Sequence, residues 1–225
     1  MEPVVRLRSV VALLGGFPAL AGADLTVDAG ESVLLRGPNG AGKSTVLRVC
    51  AGLVPVAQGE ATVLGVDLTK DRRAVRRRIA LLGHAGLLYD DLTVRENVTF
   101  AVRAAGGDAG AIAGALARLG LDGRLSTTRV ASLSAGQRRR TALASLVARQ
   151  ADLWLLDEPH AGLDDDGRDL VDGVVREAIA TGATVVMASH DIDRATALAS
   201  RVLTVAGGMV SPAATPTVTE PARVS

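Results

Sequence analysis

Apolar and polar positions alternate with a period of two from Val4 to Val11, interleaving Arg6 and Arg8, which predicts a half-exposed strand. A second strand is expected over Asp24–Val27. Asp28-Ala29-Gly30-Glu31 then turns the chain into Ser32–Arg36, a run apolar enough to be buried, and Thr45–Ala51 reads as a helix. Two short strand-like pieces separated by Gly65 fill Ala61–Leu68, so the first part of the chain predicts a β-rich edge. Asp71–Arg78 is dense in arginine and reads as the solvated face of a helix. Beyond it lie a short apolar strand, Ile79–Leu82, a polar loop to Asp91, and a helix from Val94 with Thr93 as its cap. An Ala-rich helical pattern continues to Gly120, broken at Gly106-Gly107. Ser134 opens another helix, whose Ala142, Leu143, Leu146 and Val147 share one face.

From Leu153 onward the pattern changes. Leu153–Leu156 is continuously apolar, as in a parallel strand covered on both sides. A helix over Gly167–Ala180, a strand at Thr184–Ala188, a shorter helix at Ile192–Ala199 and a strand at Val202–Val205 follow. Strands alternating with helices imply a parallel sheet. One domain is expected over residues 1–210, with a helical insertion at about 93–149. The Pro-, Thr- and Ala-rich stretch from Ser211 to Ser225 lacks any apolar period and is expected to be a disordered tail.

Composition removes several functional classes. Lys plus Arg number 25 and Asp plus Glu 24, and a net charge of +1 gives no general attraction to nucleic acid. Aromatic residues at 2% supply no base-stacking surface, so the core must be built from Val, Leu and Ala. The single cysteine, Cys50, forms no intrachain disulfide and falls on the apolar side of the first helix, which fits a reducing compartment. Met1-Glu2-Pro3 lacks the basic start of a secretory signal. Val10–Ala23 is uncharged, but it is too short to span a bilayer and is broken by Gly15, Gly16 and Pro18. A cytosolic chain is expected.

The chemistry concentrates first at Gly37-Pro38-Asn39-Gly40-Ala41-Gly42-Lys43-Ser44-Thr45, which fits G-x-x-x-x-G-K-[ST] in full and sits between an expected strand and an expected helix. Glycines let successive backbone N–H groups point at one anion, and the helix N-terminus adds its dipole. Lys43 reaches toward β- and γ-phosphates, and the Ser44 hydroxyl is placed to ligate Mg²⁺. The fold class is therefore α/β, a phosphate-loop NTPase core with a parallel sheet, a β-rich N-terminal edge and a helical insertion. A second centre is the apolar strand ending in Asp157, followed directly by Glu158. Beside a phosphate loop, such a pair supplies one carboxylate for the metal, Asp157, and one base to orient water, Glu158. Leu133-Ser134-Ala135-Gly136-Gln137 places small residues at a helix start, a second phosphate site or an ordinary cap. Arg138, Arg139 and Arg140 crowd the first turn of that helix, oppose its dipole, and are expected to splay to solvent or to serve anionic partners.

In order along the chain, the phosphate loop Gly37–Thr45, Leu133–Gln137, Leu153–Asp157 with Glu158, Ala161-Gly162-Leu163-Asp164 and His190 resemble the motifs of ABC-transporter nucleotide-binding subunits over roughly the first 210 residues. Leu82-Gly83-His84-Ala85-Gly86-Leu87, Leu92-Thr93-x-x-Glu96-Asn97 and the Ser-Ala-Gly-Gln form of the pentapeptide are similar to the ATP-binding subunit of the heme exporter of cytochrome c maturation. The resemblance implies the ABC ATPase fold, ATP and Mg²⁺ as cofactors, and a head-to-tail homodimer. In that dimer each ATP is clamped between the phosphate loop of one chain and Ser134–Gln137 of the other. It also implies a γ-phosphate contact for His190, an inter-site role for Asp164, a separate integral membrane partner, and a place on the inner face of the cell membrane. Two positions depart from the family pattern. Leu14 stands about where an aromatic stacks on adenine, and Phe17 is the nearest ring, three residues on. His84 replaces a glutamine that touches Mg²⁺ and faces the membrane subunit. His160 receives no role. The alternatives left by the sequence are a drug or polysaccharide exporter ATPase, a soluble ABC-type ATPase of DNA repair or translation, and a plain phosphate-loop kinase. The soluble ATPases typically add coiled coils, paired cassettes or basic arms that are not seen here, and the kinase would not need Leu133–Gln137.

Overall fold

The computed structural model describes residues 2–83 and 88–212. From the N-terminus, β1 (Val5–Leu14) and β2 (Phe17–Val27) form a hairpin, and β3 (Ser32–Arg36) runs through the phosphate loop into α1 (Lys43–Cys50). After β4 (Gln58–Val63), β5 (Val66–Asp67) and α2 (Leu68–Asp71), a 3₁₀ turn at Ala74–Arg77 leads to β6 (Ile79–Leu82). The helical stretch holds α3 (Val94–Ala105), α4 (Ala111–Arg118), α5 (Gly123–Ser126), a 3₁₀ turn at Val130–Ser132 and α6 (Ala135–Arg149). The chain closes with β7 (Leu153–Asp157), α7 (Asp165–Ala180), β8 (Thr184–Ala188), α8 (Ile192–Leu198), β9 (Arg201–Ala206) and β10 (Met209–Pro212).

Two sheets divide these strands. One is antiparallel, in the order β2-β1-β4-β5; the other, β10-β9-β3-β8-β7-β6, is parallel except for β10. The alternation along β7 shows how the core is split: Leu153 and Leu155 join the apolar cluster around α1, while Trp154 and Leu156 face the cluster formed with α3, α4, α6 and α7. A strand buried on both faces needs no polar side, which is why its sequence is uninterrupted. α1 lies between the two sheets, with Val46, Leu47, Val49 and Cys50 fully buried. Burial also pushes the Cys50 thiol up to about 12. Among the described residues no helix is long and apolar enough to cross a membrane.

Three elements differ from the sequence pattern. β2 extends back to Phe17, beyond the expected Asp24–Val27, because Gly15 and Gly16 at φ 58° and 84° make a two-residue turn that pairs Leu14 with Phe17. Pro18 is tolerated there because β2 is the edge strand of its sheet. Asp71–Arg78 is not one helix but the end of α2 and a 3₁₀ turn, with Arg73, Arg76, Arg77 and Arg78 exposed as expected of a solvated face and Arg72 and Arg76 capping backbone. Arg72 donates to Gly52 O and Leu53 O and Arg76 to Gly52 O, at the C-terminal end of α1, and Arg78 pairs with Asp152 at 2.6 Å. β10 takes in Ser211 and Pro212, which the sequence pattern places in the tail: the turn at Gly207-Gly208 folds the strand back on β9, and Gly208 O accepts from Ala21 N of β2. The remainder of the tail, 213–225, lies outside the described residues.

Candidate functional site

β3 sits between β9 and β8 in the parallel sheet, and the loop leaving its C-terminal end is built by contacts that only glycine allows. A Cβ on Gly37 would stand 2.1 Å from Val205 O, and one on Gly42 would stand 2.8 Å from Ala19 O. Gly42 is the N-cap of α1 and brings no side-chain acceptor, so the first N–H groups of that helix stay open to an anion. Within the loop, Ala41 N bonds Pro38 O at 3.2 Å, and Gly208 N bonds Ala41 O at 3.0 Å. Lys43 is buried and donates Nζ to Gly37 O at 2.7 Å and Pro38 O at 3.0 Å, so its ammonium is held over the loop. Asn39 and Gly40 are exposed at the crest, Ser44 is half-buried at the first turn of α1, and Thr45 is buried beneath it.

Adjacent strands bring the other residues to the same sheet edge. Asp157 ends β7, opposite Ala188 of β8, and is buried. Glu158 follows it with φ 51°, a left-handed backbone that costs a non-glycine residue about 1–3 kcal/mol and marks a site where the surroundings dictate the conformation. Its N–H bonds Ala188 O at 2.8 Å, and its Oε2 lies 2.7 Å from His190 Nδ1 and accepts His190 N–H at 3.1 Å. The two residues assigned to hydrolysis are therefore in direct contact. With Nδ1 turned to the carboxylate, Nε2 is the nitrogen left to meet a phosphate.

Ser134 caps α6 through a reciprocal box: its Oγ accepts from Gln137 N at 3.2 Å while Gln137 Oε1 accepts from Ser134 N at 3.0 Å. The box does not use the N–H groups of Ala135 and Gly136. Gly136 lies against the 161–164 loop, where an added Cβ would meet Leu163 at 3.7 Å and Gly162 O at 3.8 Å, and Asp164 caps α7. Phe17 is 78% exposed and Leu14 42%, side by side at the hairpin tip that packs on the phosphate loop through Ala19. His84 lies outside the described residues.

Of the two expectations for Arg138, Arg139 and Arg140, solvent or an anionic partner, Arg138 follows the second, whereas Arg139 turns inward onto backbone carbonyls. Arg138 pairs with Asp90 and donates to Val130 O at 3.0 Å, and Arg140 donates to Leu119 O at 3.4 Å. Arg139 is buried and donates to Gly83 O at 2.7 Å, Asp157 O at 2.8 Å, Pro159 O at 3.3 Å and Glu158 O, stitching the carboxylate loop to α6. Burial draws its guanidinium pKa below the ordinary value, opposed by the charges of Asp157 and Glu158. The signal was present in the sequence, since Arg139 leads the spacing 139, 142, 143, 146 that defines the inward face. A second missed feature is His160, a loop residue whose ring is buried against Asp172.

A sheet carrying a phosphate loop, a tip carboxylate with its base and a facing histidine, and an insertion ending in a capped small-residue helix start define a nucleotide-hydrolysing cassette. The family model described as ABC transporter matches residues 20–161, and the chain belongs to that family as an ATP-binding, ATP-hydrolysing subunit. The cytochrome c biogenesis ATP-binding export protein CcmA of Xanthomonas campestris pv. campestris (strain 8004) is 39% identical over 203 residues, covering 90% of this chain and 94% of that protein. CcmA 2 of Cupriavidus metallidurans is 38% identical over 198 residues, covering 84% and 90%. Among solved structures, a dimeric ATP-binding cassette in a post-hydrolysis state bound to ADP and Pi superposes with a TM-score of 0.84 at 26% identity, covering 92% of this chain and 96% of that one. An ATP-binding subunit of an ABC transporter gives 0.85 at 25% identity, covering 92% and 88%.

Proposed function

We propose that this chain powers heme export for cytochrome c maturation, as a head-to-tail ATP-sandwich homodimer docked on an integral membrane subunit at the inner face of the cell membrane. The observation that carries the hydrolytic part is the meeting of three C-terminal strand ends. The phosphate loop of β3, His190 beyond β8 and Glu158 beyond β7 stand in adjacent positions, with Glu158 and His190 2.7 Å apart. In this reading the backbone of Gly37 to Thr45 and the Lys43 ammonium hold the β- and γ-phosphates. Ser134, Ala135, Gly136 and Gln137 of the second copy close over the γ-phosphate, and His190 Nε2 faces it. Glu158 Oε accepts a proton from the attacking water.

Mg²⁺ fits the donors present, since the Ser44 hydroxyl and the Asp157 carboxylate are hard oxygen ligands in the small number such an ion takes beside substrate phosphates. Bound there, it would neutralise charge on the β- and γ-phosphates. His84, outside the described residues, is assigned to the shell of the same ion and to the surface facing the membrane subunit. An apolar groove of about 520 Å³, lined by Leu81, Leu88, Tyr89, Phe100, Ala101 and Arg149, supports the docking part. Tyr89 and Phe100, edge to face at 5.0 Å, are both about half exposed there. The CcmA relatives support the export part.

The test has two arms. Glu158→Gln is expected to bind ATP normally while turnover falls on the order of 10²–10⁴-fold, the usual loss with a positioned base. Lys43→Ala is expected to weaken binding itself; wild-type turnover by Glu158→Gln removes Glu158 as the base. In cells, deleting the gene should abolish heme-stained c-type cytochromes, with rescue by wild type and none by Glu158→Gln. Normal cytochromes in the deletion strain would exclude this cargo.

A further inference from the structure

Behind the Glu158–His190 pair runs a polar chain, buried at its His160–Asp172 end, that the mechanism above does not use. His160, in the loop between β7 and α7, is 4% exposed, and its Nε2 lies 2.8 Å from Asp172 Oδ1, itself 4% exposed, on α7. The second Asp172 oxygen accepts from Arg194 Nη1 at 2.7 Å, and Arg176 stands at 3.8 Å. Arg194 Nη1 also bonds Asp169 at 2.7 Å. Arg194 belongs to α8, which starts two residues after His190. The chain His160–Asp172–Arg194 therefore ties the loop carrying Glu158 to the helix following His190, with α7 as the strut between them.

Two features make this more than packing. Glu158 holds a left-handed backbone, and such a residue keeps its conformation only where both flanks are pinned. Arg139 grips the carbonyls of Asp157 before it, of Glu158 itself and of Pro159 after it. Downstream, Pro159 has a ring-locked φ and His160 is the next anchor. The second feature is His160 Nδ1, buried and without a polar partner among the described residues. An ionised aspartate accepts only, so Nε2 is the nitrogen that donates to Asp172. An apolar residue would avoid the cost of burying the unpartnered nitrogen, whereas only a donor supplies the bond to Asp172.

We infer that His160, acting through Asp172 and Arg194, is a positioning residue for hydrolysis: it sets the backbone of Glu158 and its register against His190. The inference rests on reading Glu158 as the base. Misplacing a reacting group by about 1 Å costs on the order of 10²-fold, so His160→Ala should lower kcat by about 10–100-fold. KM for ATP should stay within about threefold, because the phosphate loop is untouched. His160→Gln, whose amide can donate near the Nε2 position, should recover most of the rate. Arg194→Met breaks the chain at its outer end, where folding is least at risk, and should reproduce the kcat defect. ATP-driven dimerisation of His160→Ala in the Glu158→Gln background should match that of Glu158→Gln alone. Wild-type kcat in both His160→Ala and Arg194→Met overturns the inference. So does a parallel loss of kcat, ATP affinity, dimerisation and Tm without rescue by His160→Gln, which would mean a purely structural anchor. Glu158→Gln alone separates the two claims: turnover at the wild-type rate removes the base, whereas a dead Glu158→Gln beside unchanged His160 variants removes only the positioning chain.

Discussion

Phe17 and Leu14 are three residues apart in sequence but opposite one another in the hairpin register, on the same face of its tip. We propose that Phe17 takes the stacking role expected at Leu14, since register places the two side chains next to each other. Stacking a base on an aromatic ring contributes about 1–3 kcal/mol. Phe17→Ala should therefore weaken ATP binding by about tenfold or more, and Leu14→Ala by less, as read by equilibrium titration. Equal affinities for wild type and Phe17→Ala would place the adenine elsewhere. At this same scale, motif residues were readable because their chemistry demands a fixed spacing. The left-handed Glu158, the carbonyl-gripping Arg139 and the Asp172-bound His160 were not, because each depends on groups from other elements meeting in space.

Among the elements, caps were the most legible feature. Thr93 and Ser134 each lie three residues before a Glu or Gln, and both boxes form. Glu96 accepts from Thr93 N–H and then from its hydroxyl, and these bonds hold its carboxyl below the ordinary value. A depressed carboxylate stabilises the fold above the ordinary Glu pKa of about 4.3, and that contribution is lost as pH falls through the lower folded value. Thr93→Ala should accordingly lower Tm at pH 7, with the gap from wild type narrowing below about pH 4. Glu96→Gln, which keeps the acceptor without the charge, should show no such acid dependence; a constant gap at all pH values would deny the box its electrostatic part. The arginine run Asp71–Arg78 shows the opposite case. Its charges predict a solvated helix face, yet the carbonyls at the end of α1, brought close by the fold, take Arg72 and Arg76 as caps.

For the whole molecule, the proposed sandwich leaves one chain with half of each nucleotide site. The phosphate loop opens at the end of β3, while the Ala135 and Gly136 N–H groups left outside the capping box begin α6 in the helical stretch. Ser134→Arg should leave ATP binding by the monomer intact and fill the second phosphate site with bulk. In sedimentation, Glu158→Gln is expected to dimerise on adding ATP, and the double variant Glu158→Gln/Ser134→Arg to stay monomeric. A dimer that forms without ATP, or one indifferent to Ser134→Arg, counts against the sandwich.

By itself the sequence determined the phosphate loop, the strand that ends in Asp157, the helix caps and the alternation of strands and helices. All of these are local: a glycine spacing, a two- or 3.6-residue period and a cap three residues ahead are complete within a short window. Only the tertiary structure decided that β2 begins at Phe17 and that Ser211 and Pro212 pair as a strand, because strand pairing depends on a partner distant in the chain. It also decided that Glu158 touches His190 and which groups receive the buried Arg139 and His160. Polar side chains are assigned to solvent by type alone, and their burial becomes tolerable only when carbonyls and a carboxylate from other elements arrive to satisfy them.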